Sequence, residues 1–224
     1  YTDLQEHQWR EGVVDPDLFQ PARLDTDQWM EAARAIDARY TVFVAKHCTG
    51  FLPWQSDLYP FGVKQSSWRG GKGDVVRDYV DSCRKYGMMP GLYASVSANA
   101  YWEVDRGLVN WGKGGDPEKQ ARYKATCEAM LEELWGNYGP LGEVWFDGGA
   151  LPPEEGGPDL VPILRRLQPR AMVFQGPATT IRWIGNEKGV APYPCWATVP
   201  SVEEVAWGRA EPGGPSGEGF VALH

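Results

Sequence analysis

What this chain lacks removes several kinds of chemistry. Its four cysteines, Cys48, Cys83, Cys127 and Cys195, are widely spaced and form no CxxC pair, so neither a zinc ribbon nor a disulfide scaffold is indicated. Three histidines, His7, His47 and His224, with no HExxH among them, give little support to a catalytic metal. No apolar run approaches the roughly 20 residues that a membrane-spanning helix needs. The opening YTDLQEHQWR has no charged-then-apolar signal pattern. Basic runs are missing as well, and a net charge of -8 argues against a nucleic-acid partner. No GxGxxG or GxxxxGK loop follows any apolar stretch, which lowers the case for a nucleotide site.

What is present reads as one domain spanning residues 1–224. At 42% hydrophobic, 224 residues suffice for one sizeable core. Asp25 caps a helix through TDQWMEAARAIDARY, with Trp29, Ala33 and Ile36 on one face, and the strand YTVFVAKH follows at once. Asp74 opens VVRDYVDSCRKYG, with Val76, Val80, Cys83 and Tyr86 at helical spacing, Gly87 as the stop, and the apolar run MMPGLYASV behind it. A third unit puts Tyr123, Cys127, Met130 and Leu134 on one stripe, stops at Gly139 and leads into LGEVWFDGG. In the fourth, PDLVPILRRLQP precedes RAMVFQGPA. Helix and strand alternating four times imply a parallel sheet of the α/β class, either a (β/α) barrel or an open doubly wound sheet. His47, Tyr93 with Ser95, Asp147 and Gln175 all fall at the carboxyl ends of these strands, where a (β/α)8 TIM-like barrel assembles its site. Glycine- and proline-rich EPGGPSGEG places residues 208–224 in a loop or frayed end.

Asp147 stands out, because a charge at the end of a buried run is costly unless something there needs it. Between Phe146 and the Gly148–Gly149 pair it could serve as a nucleophile; a strand-end Asp also commonly caps the next loop. Glycoside cleavage needs a second carboxyl to protonate the departing oxygen. Glu187, in RWIGNEKG, is the candidate, although taken by itself it reads more readily as a solvated surface group, and Glu103, Glu143, Glu154 and Glu155 compete with it. His47 in AKHCTGF could hydrogen-bond a polar substrate or be a neutral core histidine. Among eleven tryptophans, flat rings suit sugar faces as well as cores, and Trp54, Tyr93, Trp145, Trp183 and Trp196 are the candidate stacking surfaces.

In this order, AKHCTGF, GKGDVV, GLYAS, NYGPLGEVWFDGG and RWIGNEKG resemble the glycoside hydrolase family 29 α-L-fucosidases, over most of residues 1–199. The resemblance implies a retaining exo-glycosidase of the barrel fold that removes terminal α-L-fucose from oligosaccharides or glycoconjugates without a cofactor. Asp147 would be the nucleophile and Glu187 the acid/base, their carboxyls about 5–5.5 Å apart. His47 would bind fucose hydroxyls, and Trp145, Tyr93, Trp54, Arg182 and Trp183 would line the sugar. An extracellular or periplasmic setting is favoured by the same likeness, and neither a metal, a nucleic acid nor a membrane enters it.

Two departures bear on this expectation. Cys48 replaces the second histidine of the family's KHH motif, with Thr49 where Asp is usual. Family members also carry a strand with HWG-like residues before the YTDL region and a β-sandwich after the barrel, and this chain has neither. A complete barrel takes about 250 residues, so the barrel is expected to be incomplete in this chain. Exposed strand edges then predict association into a homo-oligomer. The alternative function is an inactive fucose-binding remnant or fragment.

Overall fold

The computed structural model describes residues 14–110, 113–181, 184, 188–191, 198–199 and 221–222. Four parallel strands are its frame: β1 (Tyr40–Lys46), β2 (Met89–Ala94), β5 (Glu143–Trp145) and β6 (Met172–Phe174), hydrogen-bonded in that order. Between them run α1 (Thr26–Ala35, ahead of β1), α2 (Val75–Lys85), α3 (Pro117–Gly136) and α4 (Leu160–Leu167). Strand neighbours that are also chain neighbours, each reached through a helix, are the arrangement of a (β/α)8 barrel, here an arc of it. Among the described residues, β1 pairs only with β2.

The helices begin and end where the side chains dictate. Asp25, Asp74 and Asp116 each sit in extended backbone and accept the amide proton three residues on, from Gln28, Arg77 and Lys119, which satisfies a donor the first turn would otherwise orphan. At the end of α2 the Met88 amide returns to the Cys83 carbonyl at 2.8 Å and the Gly87 amide to Arg84 at 3.2 Å. That Schellman pair needs left-handed backbone at residue 87, and glycine supplies it with φ +70°.

Packing follows the apolar stripes, with one correction. Tyr123, Cys127, Met130 and Leu134 of α3 are buried, as are Val76, Val80 and Cys83 of α2. The expected face of α1 is not the buried one. The helix stops at Ala35, leaving Ile36 as a cap residue 80% exposed, and the face turned inward carries Thr26 and Met30. Trp29 lies on the rim, stacked on Phe43 with ring centroids 6.0 Å apart. The third helix also ends at Gly136, ahead of Gly139.

Strand β2 is the most enclosed, with every residue from Pro90 to Ala94 buried, as a parallel strand covered on both faces requires. Gly91 is obligatory there, since a Cβ would stand 2.9 Å from Val42 Cγ2 and 3.2 Å from Glu143. The register pairs Val44 with Tyr93, Tyr93 with Trp145 and Trp145 with Phe174, so these side chains lie in one layer at the carboxyl ends. Between Val44 and Lys46 the pairing shifts by one residue. Because side chains alternate across a strand, that irregularity resets which residues of β1 face inward, and Lys46 is turned into the core.

Two small elements were not foreseen from the sequence. A hairpin of β3 (Val104–Asp105) and β4 (Leu108–Val109) crosses the loop after β2, turning on Arg106 and Gly107, both left-handed at φ +49° and +79°. Thr198–Val199 pairs antiparallel with Val221–Ala222, so the segment from residue 208, expected as loop, contains a short strand.

Candidate active site

At the carboxyl end of β5 the chain leaves the sheet and turns sharply. The Phe146 amide still bonds the Phe174 carbonyl at 3.0 Å, so β5 and β6 stay paired one residue past their formal ends. Asp147 comes next, half-buried, followed by Gly148 and Gly149 at φ +75° and +76°. A side chain at residue 148 would be strained in that conformation and would meet Ser97 Oγ at 2.9 Å. The glycine pair therefore lets the chain turn away directly behind the carboxylate, and Ser97 Oγ fixes the turn by donating to the Asp147 carbonyl at 3.0 Å.

The carboxylate is held from the neighbouring strand. Tyr93 Oη donates to Asp147 Oδ2 at 2.6 Å, a short charge-assisted hydrogen bond. Tyr93 in turn packs between two rings: the His47 imidazole lies parallel to it, centroids 5.4 Å apart with 6° between planes, and the Trp145 indole meets it edge-on at 5.0 Å. Asp147, Tyr93, His47 and Trp145 thus form one cluster contributed by three adjacent strand ends.

Burial sets the charge states around it. Burial lowers the His47 pKa, the Asp147 carboxylate opposes that and the Lys46 ammonium adds to it, so the imidazole stays neutral to lower pH than a free histidine. A neutral imidazole both donates and accepts, which suits a ring reading hydroxyls. Lys46, 1% exposed, donates from Nζ to the Ser95 carbonyl at 2.6 Å and to the Ala98 carbonyl, knitting the end of β1 to the loop after β2. Burial pulls its pKa down to about 8. Cys48, also half-buried, has its thiol pKa raised chiefly by burial, which keeps it un-ionised beside the site.

Not every expected residue gathers here. Trp54 is a core residue, 1% exposed, with its indole N–H donated to Glu133 Oε2 of α3 at 2.8 Å. Both its faces and its polar edge are occupied by protein, so it offers no platform to a sugar. Glu143 opens β5, so by strand rise it lies roughly 13 Å from Asp147 at the other end of the barrel. Glu103 is engaged by Lys119 at 2.6 Å and Lys113 at 3.7 Å, and Glu154 and Glu155 are exposed on the 3-10 turn Pro153–Glu155. Glu187, Arg182, Trp183 and Trp196 lie outside the described residues. Among the described residues no group of histidine, cysteine and carboxylate side chains is arranged to hold a metal ion.

Sequence reasoning passed over Ser97 and Lys46. A lysine inside the apolar run YTVFVAK was the available sign, since an unpaired charge there must find carbonyls. An apolar groove of about 430 Å³ beside β1, walled by Phe19, Trp29, Phe43, Val44, Phe51 and Phe61, touches the cluster through His47. The chemistry-bearing group is therefore not in that groove.

A parallel arc of strands joined by helices, with a carboxylate, an imidazole and aromatic rings at the strand carboxyl ends, defines the class: part of a (β/α)8 barrel with a polar cluster where such barrels carry their sites. Comparison with known proteins narrows it. The family model Alpha-L-fucosidase matches residues 1–171. Alpha-L-fucosidase 1 of Arabidopsis thaliana is 31% identical over 204 residues, 88% of this chain and 37% of the plant protein. A Bacteroides thetaiotaomicron protein solved as a candidate α-L-fucosidase shares 42% identity and a TM-score of 0.80, over 87% of this chain and 45% of its own. A glycoside hydrolase 29 family member from an unknown rumen bacterium gives a TM-score of 0.65 at 28% identity, over 90% of this chain and 38% of its own. The chain belongs to the α-L-fucosidase family. It spans between about a third and a half of the length of these relatives, and its barrel is correspondingly partial.

Proposed function

We propose that the protein is a retaining exo-glycosidase that hydrolyses terminal α-L-fucose from oligosaccharides or glycoconjugates through a covalent fucosyl-enzyme on Asp147. The supporting observation is the Tyr93–Asp147 hydrogen bond at the mouth of β5, within a chain of the α-L-fucosidase family. With Oδ2 held by Tyr93, the other carboxylate oxygen attacks the anomeric carbon. As that bond forms, the glycosidic bond breaks and its electron pair goes to the departing oxygen, which takes a proton from Glu187. Water then attacks the same carbon, gives its proton to Glu187 and releases Asp147, so configuration is retained. The sugar's apolar face meets Trp145 while neutral His47 exchanges hydrogen bonds with its hydroxyls.

Glu187 as acid/base is tested by the leaving group. Glu187→Ala should lose little activity on aryl fucosides whose leaving group needs no proton, and about 100-fold or more on natural fucosides. Equal losses on both would reject the assignment. The partial barrel favours a second reading, a fucose-binding remnant without turnover, which equilibrium binding of L-fucose to a folded, inactive parent would reveal.

A further inference from the structure

Gln175 follows β6 directly and holds φ +52°, a left-handed backbone that a residue with a side chain adopts at a cost. The reason lies on either side of it. Before it, the Phe174 carbonyl is taken by the Phe146 amide at 3.0 Å. After it, Gly176 is pressed against the Phe146 ring so closely that a Cβ would stand 2.1 Å from Cδ2. Thr179 closes the turn, its Oγ1 accepting from the Gly176 amide at 3.0 Å and donating to the Gly176 carbonyl at 2.6 Å. With both flanks pinned, the side chain is delivered onto the neighbouring strand, where its Oε1 accepts the Trp145 indole N–H at 2.7 Å. The indole can only donate, so the carboxamide oxygen must be the partner.

We infer that Gln175 is a positioning residue of the sugar pocket: its carboxamide oxygen, carried on a strained turn, fixes the Trp145 ring that walls the Asp147 site. Among the described residues, the ring's other supports are edge contact with Tyr93 and a tilted contact with Phe174 at 5.0 Å, neither of which sets its rotation as a directional hydrogen bond does. Backbone strain at a strand end beside a carboxylate is where such a constraint is expected to be kept. This inference rests on the proposed fucosidase reading for its kinetic consequence, though not for its structural one.

The test uses the full chain with 15N-labelled tryptophan, the Trp145 indole resonance being assigned by its loss in Trp145→Phe. Gln175→Leu should move that proton resonance upfield and speed its exchange with solvent about tenfold, the equivalent of one net hydrogen bond. Gln175→Glu keeps an acceptor and should leave the resonance downfield. Gln175→Gly should show the Leu shift while melting no lower than the parent, since glycine relieves the left-handed strain. On an aryl α-L-fucoside, the Leu and Gly variants should raise KM about tenfold with kcat changed far less, and Glu should recover KM. An unmoved indole resonance in both Leu and Gly variants would overturn the inference, as would a KM that ignores the acceptor. Should the parent neither turn over nor bind L-fucose, the fucosidase reading fails, and the indole shifts alone decide the role of Gln175.

Discussion

Tyr93 connects most of the site: it donates to Asp147, lies against His47 and abuts Trp145. Removing only its hydroxyl should therefore be costly without disturbing the packing. Tyr93→Phe is expected to lower kcat/KM roughly 10- to 100-fold, the worth of a hydrogen bond to a charged group, with a melting temperature close to the parent's. Lys46 makes a separate prediction. Its folded pKa, about 8, lies below the ordinary 10.5, so the unfolded chain binds more protons between those values and stability attributable to Lys46 rises with pH across that window. Denaturation of the parent and of Lys46→Met from pH 7 to 10.5 should show the parent gaining on the variant above pH 8, by up to about 1.4 kcal/mol per pH unit. A constant difference would contradict the buried-charge account. Asp147, His47 and Tyr93 were legible in the sequence because strand-end polar residues declare themselves against apolar runs, and Trp145 because it precedes Asp147 by two residues in the run EVWFDGG. Trp54 was misleading for a physical reason: an indole that fills a core and one that stacks on a sugar have the same sequence signature, and only its bond to Glu133 separates them. Gln175 was legible as a strand-end residue but its partner was not, since its role depends on the Phe146 ring pressing on Gly176 from another strand.

Helices and strands were read with similar success and for similar reasons. The Asp25 and Asp74 caps, the buried stripes of α2 and α3 and the Gly87 stop are local patterns, each fixed within a few residues, and each appears as expected, whereas the Asp116 cap was not read from the sequence. Asp74 has a second task that the sequence hides. Besides accepting the Arg77 amide at 2.8 Å, it takes the Tyr138 hydroxyl at 2.9 Å from just beyond the end of α3. Asp74→Ala should then cost about 2 kcal/mol, the sum of a cap and a buried hydrogen bond, against about 1 kcal/mol for the exposed cap Asp25→Ala. Chemical denaturation of both variants measures the contrast, and equal losses would mean the Tyr138 bond is idle. What failed was also local in cause. The α1 face was misassigned because the periodicity was carried to Ile36, one residue past the last helical position. Hairpin β3–β4 escaped because two-residue strands are too short to show an alternation.

Assembled, the four units form an arc that brings His47, Tyr93, Asp147 and Gln175 to one end, which is why a partial barrel can still build a recognisable site. Parallel strands in register put every carboxyl terminus on the same side, so the cluster is built from the ends of β1, β2, β5 and β6. Family membership supports the sugar proposed above, and the geometry places Asp147 where the Tyr93 hydroxyl and the Ser97 hydroxyl converge. The most direct test of Asp147 as the proposed nucleophile is hydrolysis of an aryl α-L-fucoside by the 224-residue chain and by its Asp147→Ala variant, with and without azide. The account predicts turnover by the parent, its near-complete loss in the variant, and return with azide as a fucosyl azide, because the small anion enters the space the carboxylate vacates. Undiminished turnover in a folded Asp147→Ala protein would contradict it.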